Sequence, residues 1–510
     1  MKQQHVDVLI VGAGISGIGM ACHLTRECPG KTYTVLERRN AIGGTWDLFR
    51  YPGIRSDSDM YTFGFNFKPW NEPRVLADGP SIRQYVNDAA TEFGVDRHIQ
   101  FGRKVTDANW SSADKTWTVQ VLNESNGEVE TYTANFLVGA AGYYNYDKGY
   151  RPEFAGESDF QGQIIHPQFW PEELDYTGKK VVIIGSGATA ITLVPSMTDK
   201  AAHVTMLQRS PTYIMSIPSI DPVAKGMQRF LPEMLVYRMN RVRNIGLQRM
   251  IFEAARRRPA AVRRLLLGLV RRQLAGSNID MKHFTPSYAP WDQRLCVVPN
   301  GDLFKVLRSG KASVVTDHID RFTSNGIRLK SGEEIEADII ITATGLDVQM
   351  MGGVATKVDD QPIKVPDVLT YRGVLLEGIP NAAMIFGYTN ASWTLKADIA
   401  AEYVCRLLNH MDKQGYSTVK PIDTEDCKVE DTVLGSLSSG YIQRAADRLP
   451  RQGSKAPWQV QQNYVHDVQR LRFAPMEDDT LSFDGKPPVK SNVGVIGKMP
   501  ESLRSALRLG

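Results

Sequence analysis

The chain has 510 residues, 42% hydrophobic and 23% charged, with a formal net charge of +4. That length holds about two to four domains of ~100–200 residues, and so small a charge gives no argument for nucleic acid as a partner. Its cysteines, Cys22, Cys28, Cys296, Cys405 and Cys427, are odd in number and form no C-x-x-C, which argues against a disulfide scaffold, a zinc or other metal site, or a dithiol redox centre. The N-terminal apolar run is too short for a secretory signal, and no stretch approaches the ~18–20 apolar residues of a membrane span. A cytoplasmic protein is expected.

Residues 8–11 read VLIV, a continuous apolar run of the kind a buried parallel strand shows. GAGISG follows, with Gly12, Gly14 and Gly17 in G-x-G-x-x-G register and Ser16 between them. The helical stretch IGMACHLTREC and a second strand, TYTVLE, end at Glu37. This is the order of a βαβ dinucleotide site. The first glycine permits a tight turn, the second lets backbone approach a pyrophosphate, and the third brings helix and strand together. Glu37 is placed to accept hydrogen bonds from a ribose diol. Gly43, Gly44, Thr45, Trp46 and Asp47 come next, then RYPGIRSD with Arg55 and Asp57. These turn formers and charges stand between aromatic segments, as a loop over a cofactor would.

Residues 160–171, FQGQIIHPQFWP, fit F-x-G-x-x-x-H-x-x-x-W-P through Phe160, Gly162, His166 and Trp170. A strand, VVII, then leads into GSGATA, comprising Gly185, Ser186, Gly187, Ala188, Thr189 and Ala190 in G-x-G-x-x-A register. The next strand ends in Gln208-Arg209-Ser210 where an acid would repel a 2′-phosphate. Arg209 can pair with that phosphate and Ser210 can donate to it, so NADPH is preferred over NADH. Segments 139–145 (GAAGYYN) and 342–347 (TATGLD) look like strands crossing between two nucleotide domains.

Residues 238–272 carry 11 Arg and one acid, Glu253, a local excess of +10, with apolar residues at helical spacing. They read as two basic amphipathic helices broken at Pro259. The favoured reading is a helical lid on the NADPH domain with its basic face solvated or attracting NADPH; the alternative is peripheral docking on an anionic membrane. Transmembrane insertion is excluded by the charge density. Further on, SYAPWDQRLCVVPNGDLF carries Arg294, with Asp292 and Asp302 as the nearest acids.

The 160–171 segment, just ahead of a second Rossmann loop, resembles the fingerprint of the type I Baeyer–Villiger monooxygenases, a branch of the flavin-containing monooxygenases. GGTWDLFRYPGIRSDSDMYTFGF, PWDQRLCVVPNGDLF and NASWTLKAD resemble the ethionamide-activating group within it, and the likeness covers at least residues 5–470. It implies that FAD lies on the first loop with Gly44–Asp47 and Arg55, and NADPH on the second. It also implies that reduced flavin and O2 form a C4a-peroxyflavin, which turns ketones into esters and sulfides or thiocarbonyls into S-oxides. Arg294 matches the family's catalytic arginine, a cation that cannot lose its proton beside a peroxy anion. Asp57 matches the carboxylate set against it, and His166 a hinge residue, not a proton carrier. The sequence departs from many relatives at Gln293, where they have a lysine, leaving Arg209 more of the NADPH contact. The alternative is an N- or S-oxygenating flavin monooxygenase, whose fingerprint typically ends in Tyr or Phe where this chain has Trp170.

The expected fold is α/β, with two Rossmann-like dinucleotide-binding domains and a helical insertion in the second. The FAD domain takes 1–145 and 376–485, the NADPH domain 146–212 and 291–375, the insertion 213–290, and a loosely ordered tail 486–510. The expected partners are small ketones, sulfides or thiocarbonyls and O2, with no nucleic acid.

Overall fold

The structure, a computed structural model, describes residues 4–293, 295–434 and 440–486. Most of the tail expected from 486 therefore lies outside the described residues. Strand β1 (Gln4–Val11) buries its VLIV run at the centre of the first sheet. It pairs in parallel with β2 (Tyr33–Leu36) and with β3 (Val129–Gly139). Helix α1 (Ile15–Glu27) makes the crossover between β1 and β2. Antiparallel strands Arg103–Ser111 and Thr116–Asn123 extend the sheet beyond β3.

The second sheet is wholly parallel. Its strands are β4 (Gln163–Ile165), β5 (Lys180–Ile184), β6 (His203–Gln208), β7 (Ala312–Thr316) and β8 (Ile339–Thr342), in spatial order β7-β6-β5-β8-β4. Helix α2 (Ala188–Met197) follows β5. Two crossing segments join the sheets: Tyr144–Gly149 leaves the first and pairs antiparallel with Leu346–Val348, which returns from the second. The chain then adds β9 (Ala382–Met384) alongside the end of β3. This α/β architecture with two nucleotide-binding sheets is the one the sequence motifs lead one to expect.

Between β6 and β7 the Arg-rich segment forms α3 (Glu233–Arg257) and α4 (Pro259–Gln273). The break falls at Pro259 because proline suits the first turn of a helix, where its missing N–H is not needed. The docking of these helices differs from a lid on the NADPH domain alone. Helix α3 turns its inner face to the first domain, where the Tyr237 hydroxyl donates to the Phe65 carbonyl at 2.8 Å. Asn244 and Gln248 donate to the Asp59 carboxylate at 2.8 and 2.9 Å. Helix α4 packs on the second domain, burying Leu266 against Tyr213 and Leu295 and Val270 in the core beneath the parallel sheet. The reason for the split is Arg241, which is buried and needs acceptors. It donates to the carbonyls of Tyr61 (2.9 Å) and Gly64 (2.7 Å) and to Asp398 (3.2 Å), all in the first domain.

Asp398 lies on α5 (Trp393–Gln414), which packs along α1. The oxygen that accepts from Arg241 also accepts the Asn66 N–H at 2.8 Å, and the other oxygen meets His23 Nε2 of α1 at 3.4 Å. His23 Nδ1 stands 2.7 Å from Glu27. Burial opposes a charge on His23, but the hydrogen bonds to Asp398 and Glu27 outweigh it and raise its pKa to about 9. An unfolded histidine titrates near ~6.5. The stabilisation is therefore whole below that pH and is lost as pH rises through about 9. Thermal melts of the wild type should lose Tm between about pH 6 and about pH 9.5, and His23→Gln should lose less of it; parallel curves would remove His23 as the source. Asp398→Asn should cost about 3–5 kcal/mol in denaturant unfolding, since it leaves Arg241 buried without its counter-charge.

Candidate active site

One cavity is lined by the first nucleotide loop, by Glu37, by Gly43–Trp46, by Arg55–Asp57 and by Ala188 and Thr189 of the second loop. Its floor is built from glycine. Gly12 has φ +104°, and a Cβ there would stand 2.9 Å from the Ala140 carbonyl oxygen. A Cβ on Gly17 would lie 1.8 Å from the Gly12 oxygen, so α1 can begin this close to β1 only without one. Helix α1 starts on Gly14 with no side-chain cap, leaving its first N–H groups for an anion. Gly14 and Gly44 meet backbone to backbone: a Cβ on Gly44, at φ +56°, would be 2.9 Å from the Gly14 Cα.

Glu37 follows β2 directly and is buried. Its two oxygens accept the N–H groups of Ala13 at 2.6 Å and Arg39 at 2.7 Å. Burial raises its pKa against the pull of those bonds. Each oxygen keeps a lone pair that a ribose hydroxyl can use. Ser16 is held by the Trp393 indole N–H, at 2.7 Å, which ties α5 to the first loop. A glycine cradle, an uncapped helix start and a buried acceptor carboxylate fit the adenosine and pyrophosphate of FAD.

Asp47, expected to contact the cofactor, does not line the cavity. It is 2% exposed and binds the guanidinium groups of Arg39 and Arg50, each at 2.7 Å, and Arg83 at 3.1 Å. Burial pushes its carboxyl up, and the three arginines reverse this and hold it below its ordinary value. Three guanidiniums leave little of either oxygen for a ligand, so Asp47 braces the loop that carries Thr45 and Trp46.

Where the two loops converge, Tyr51 is buried beside Thr189 and near Asp57, which pushes its phenol up to about 12. Gly53 passes so near α2 that a Cβ would lie 1.8 Å from Ser196 Oγ. Arg55 donates to Asp302 at 2.6 Å, and its Nη2 is buried with no hydrogen-bond partner among the described residues. Of the two acids nearest Arg294 in sequence, Asp302 accepts from Arg55, and Asp292 accepts from Arg256 at 3.0 Å. Asp57 lines the same cavity. Arg294 lies outside the described residues.

The second loop repeats the first. Gly185 has φ +140°, a Cβ there would meet the Ala343 oxygen at 2.4 Å, and α2 starts on an uncapped Gly187. Ser186 is half-buried between them and Ala190 is buried one turn into the helix. Arg209 and Ser210 stand exposed just after β6. The 160–171 segment grips the second domain and the crossing strands. Phe160 packs edge-on to Phe322, and a Cβ on Gly162 would be 2.2 Å from the Asp338 oxygen. Trp170 leans on the core below the parallel sheet. The His166 ring covers Gly149, where a Cβ would come within 2.0 Å of it. Its Nδ1 accepts the Gln168 N–H at 3.2 Å, which leaves Nε2–H to donate to the Gly345 carbonyl at 3.3 Å. Burial lowers its pKa, so the ring is held neutral against both crossing strands.

Residues 9–225 match the family described as pyridine nucleotide-disulphide oxidoreductase. MymA of Mycobacterium tuberculosis, whose name is that of an FAD-containing monooxygenase, is 58% identical over 484 residues, covering 94% of this chain and 98% of its own. AlmA of Acinetobacter baylyi, named as an FAD-binding monooxygenase, is 57% identical and covers 95% and 97%. EthA of Mycolicibacterium smegmatis, named FAD-containing monooxygenase, is 53% identical and covers 94% and 97%. The chain belongs to the FAD-containing monooxygenases. Its fold is also that of an NADP-bound steroid monooxygenase (TM-score 0.68, 23% identity, 82% of this chain and 88% of that one). Cyclohexanone monooxygenase shares it as well (TM-score 0.66, 23% identity, 82% and 90%).

Sequence reasoning missed the Arg55–Asp302 pair, the Asp47 hub and the Trp393–Ser16 bond. The first spans 247 residues, and nothing local marks either partner. Glu37→Gln should weaken FAD binding about tenfold, because one acceptor oxygen becomes a donor facing an N–H. Gly44→Ala should purify without flavin. Both are read by flavin absorbance after gel filtration; full flavin content in Gly44→Ala would contradict the cradle.

Proposed function

We propose that the protein is an FAD- and NADPH-dependent Baeyer–Villiger monooxygenase that inserts one oxygen of O2 beside a ketone carbonyl to give an ester, with sulfides and thiocarbonyls as secondary substrates. The observation that carries this reading is the single cavity walled by both nucleotide loops and by Asp57. Bound there, NADPH would supply the hydride and FAD would activate O2, one oxygen of which enters the ester while the other leaves as water. Everything else is the work of the chain. Glu37 holds the ribose of FAD, and the uncapped start of α1 faces its pyrophosphate. Arg209 and Ser210 hold the 2′-phosphate that distinguishes NADPH. Arg294 is the fixed cation that stabilises the negative charge developing on the reacting oxygens, and Asp57 orients it. His166 shuttles no proton in the reaction; it keeps the crossing strands in register while the two domains adjust. The domain boundaries that follow from this reading place the flavin on residues 1–145 and 376–485, and NADPH on 146–212 and 291–375.

Arg294→Ala should cut ester formation from a linear ketone such as 2-octanone by on the order of a hundredfold or more, while flavin stays bound and NADPH is still oxidised. If ketones are untouched by the wild type while amines are oxidised, the enzyme is an N-oxygenating relative and the proposal fails. Arg209→Ala should raise KM for NADPH by about 10- to 100-fold and leave KM for NADH nearly unchanged.

A further inference from the structure

Ten of the twelve large apolar side chains that stand exposed among the described residues fall between Ile220 and Leu269, on α3, on α4 and on the segment leading to them. On α3 they are not the rim of a buried face. The helix turns Val236, Tyr237, Asn240 and Arg241 inward, whereas Leu235, Met239, Val242 and Met250 recur at helical spacing on the opposite side. Val242 is 71% exposed and Met250 62%. Helix α4 repeats the arrangement, with Leu266 and Val270 buried and Leu265 and Leu269 outward. Phe230, 84% exposed, stands in the turn before α3.

Most of the exposed polar residues around these stripes are arginines. Arg238, Arg264, Arg271 and Arg272 are exposed, and none has an ion-pair partner among the described residues. Such a surface makes two demands: hydrocarbon against the stripes and anions against their edges. The boundary of an anionic bilayer meets both, with acyl chains for the leucines, methionines and valines and a phosphate plane within reach of the long arginine stems. Nucleic acid would meet only the second demand. A second copy meeting face to face would set like charges against each other. No helix among the described residues is long and apolar enough to cross a membrane, which leaves docking on its surface. We propose that the outer face of α3 and α4 binds the protein peripherally to membranes rich in anionic phospholipid.

The proposal is independent of the reaction assigned above, because it can be read on the FAD-loaded full chain without turnover. Sedimentation with phosphatidylcholine vesicles is compared with vesicles half phosphatidylglycerol, and flavin absorbance in the pellet reports the bound fraction. The wild type should pellet with the anionic vesicles, stay in solution with the neutral ones, and be partly released by salt. A Val242→Ser, Met250→Ser, Leu265→Ser variant and, separately, an Arg238→Gln, Arg264→Gln, Arg272→Gln variant should each partition on the order of tenfold more weakly. Both should keep flavin content, Tm and NADPH oxidation. A wild type that pellets with neither lipid, or equally with both, overturns the proposal. So does a correctly folded serine variant that binds like the wild type. A mass corresponding to two copies in light scattering, lost in the serine variant and unaccompanied by vesicle binding, would reassign the face to an interface between copies.

Discussion

A carboxylate with almost no access to water, Asp398, is the point on which the first domain closes. A lone buried charge would cost several kcal/mol, and three elements converge to prevent it. Helix α1 contributes His23, the segment after Phe65 an N–H, and α3 the guanidinium of Arg241. Arg241 in turn draws in the carbonyls of Tyr61 and Gly64. The stretch from Asp57 to Asn66 is thereby fastened at its far end, and the near end is the cavity wall. The cavity wall that carries Asp57 is thus continuous with a stretch whose other end is fastened by buried charge.

Absent side chains do the complementary work at the nucleotide loops. Gly12, Gly17 and Gly185 each occupy places where a Cβ would strike backbone, and Gly44 joins the second flavin-side turn to the first loop. Because α1 and α2 both begin uncapped, the electrostatic welcome for phosphate comes from backbone alone. Asp47, with its three arginines, stiffens the one turn that glycine leaves loose.

The parts of this architecture that were legible in the chain are those written locally. Strand, glycine spacing and helix announce each nucleotide loop within about thirty residues, and Pro259 announces the break between α3 and α4. What could not be read is written across the chain. Asp47 stands in a segment whose neighbours do line the cavity, and only the folded positions of Arg39 and Arg83 show that its oxygens are taken. The bond from Arg55 to Asp302 spans 247 residues and shows only in the fold. The Arg-rich segment reads as one basic insertion, but its two helices serve different domains, since the acceptors that Arg241 reaches lie in the first.

That last residue bears on how the sequence can drift. Of the eleven arginines between 238 and 272, most stand in water and ask only for positive charge, a need lysine meets equally well. Arg241 asks for geometry. Its planar fork reaches carbonyls and a carboxylate at once from inside the protein, and an ammonium on a flexible stem would leave several of them unanswered. Exchange of arginine for lysine should therefore wander freely along the exposed ridge of these helices and halt at one position, which nothing in the local spelling of the chain sets apart.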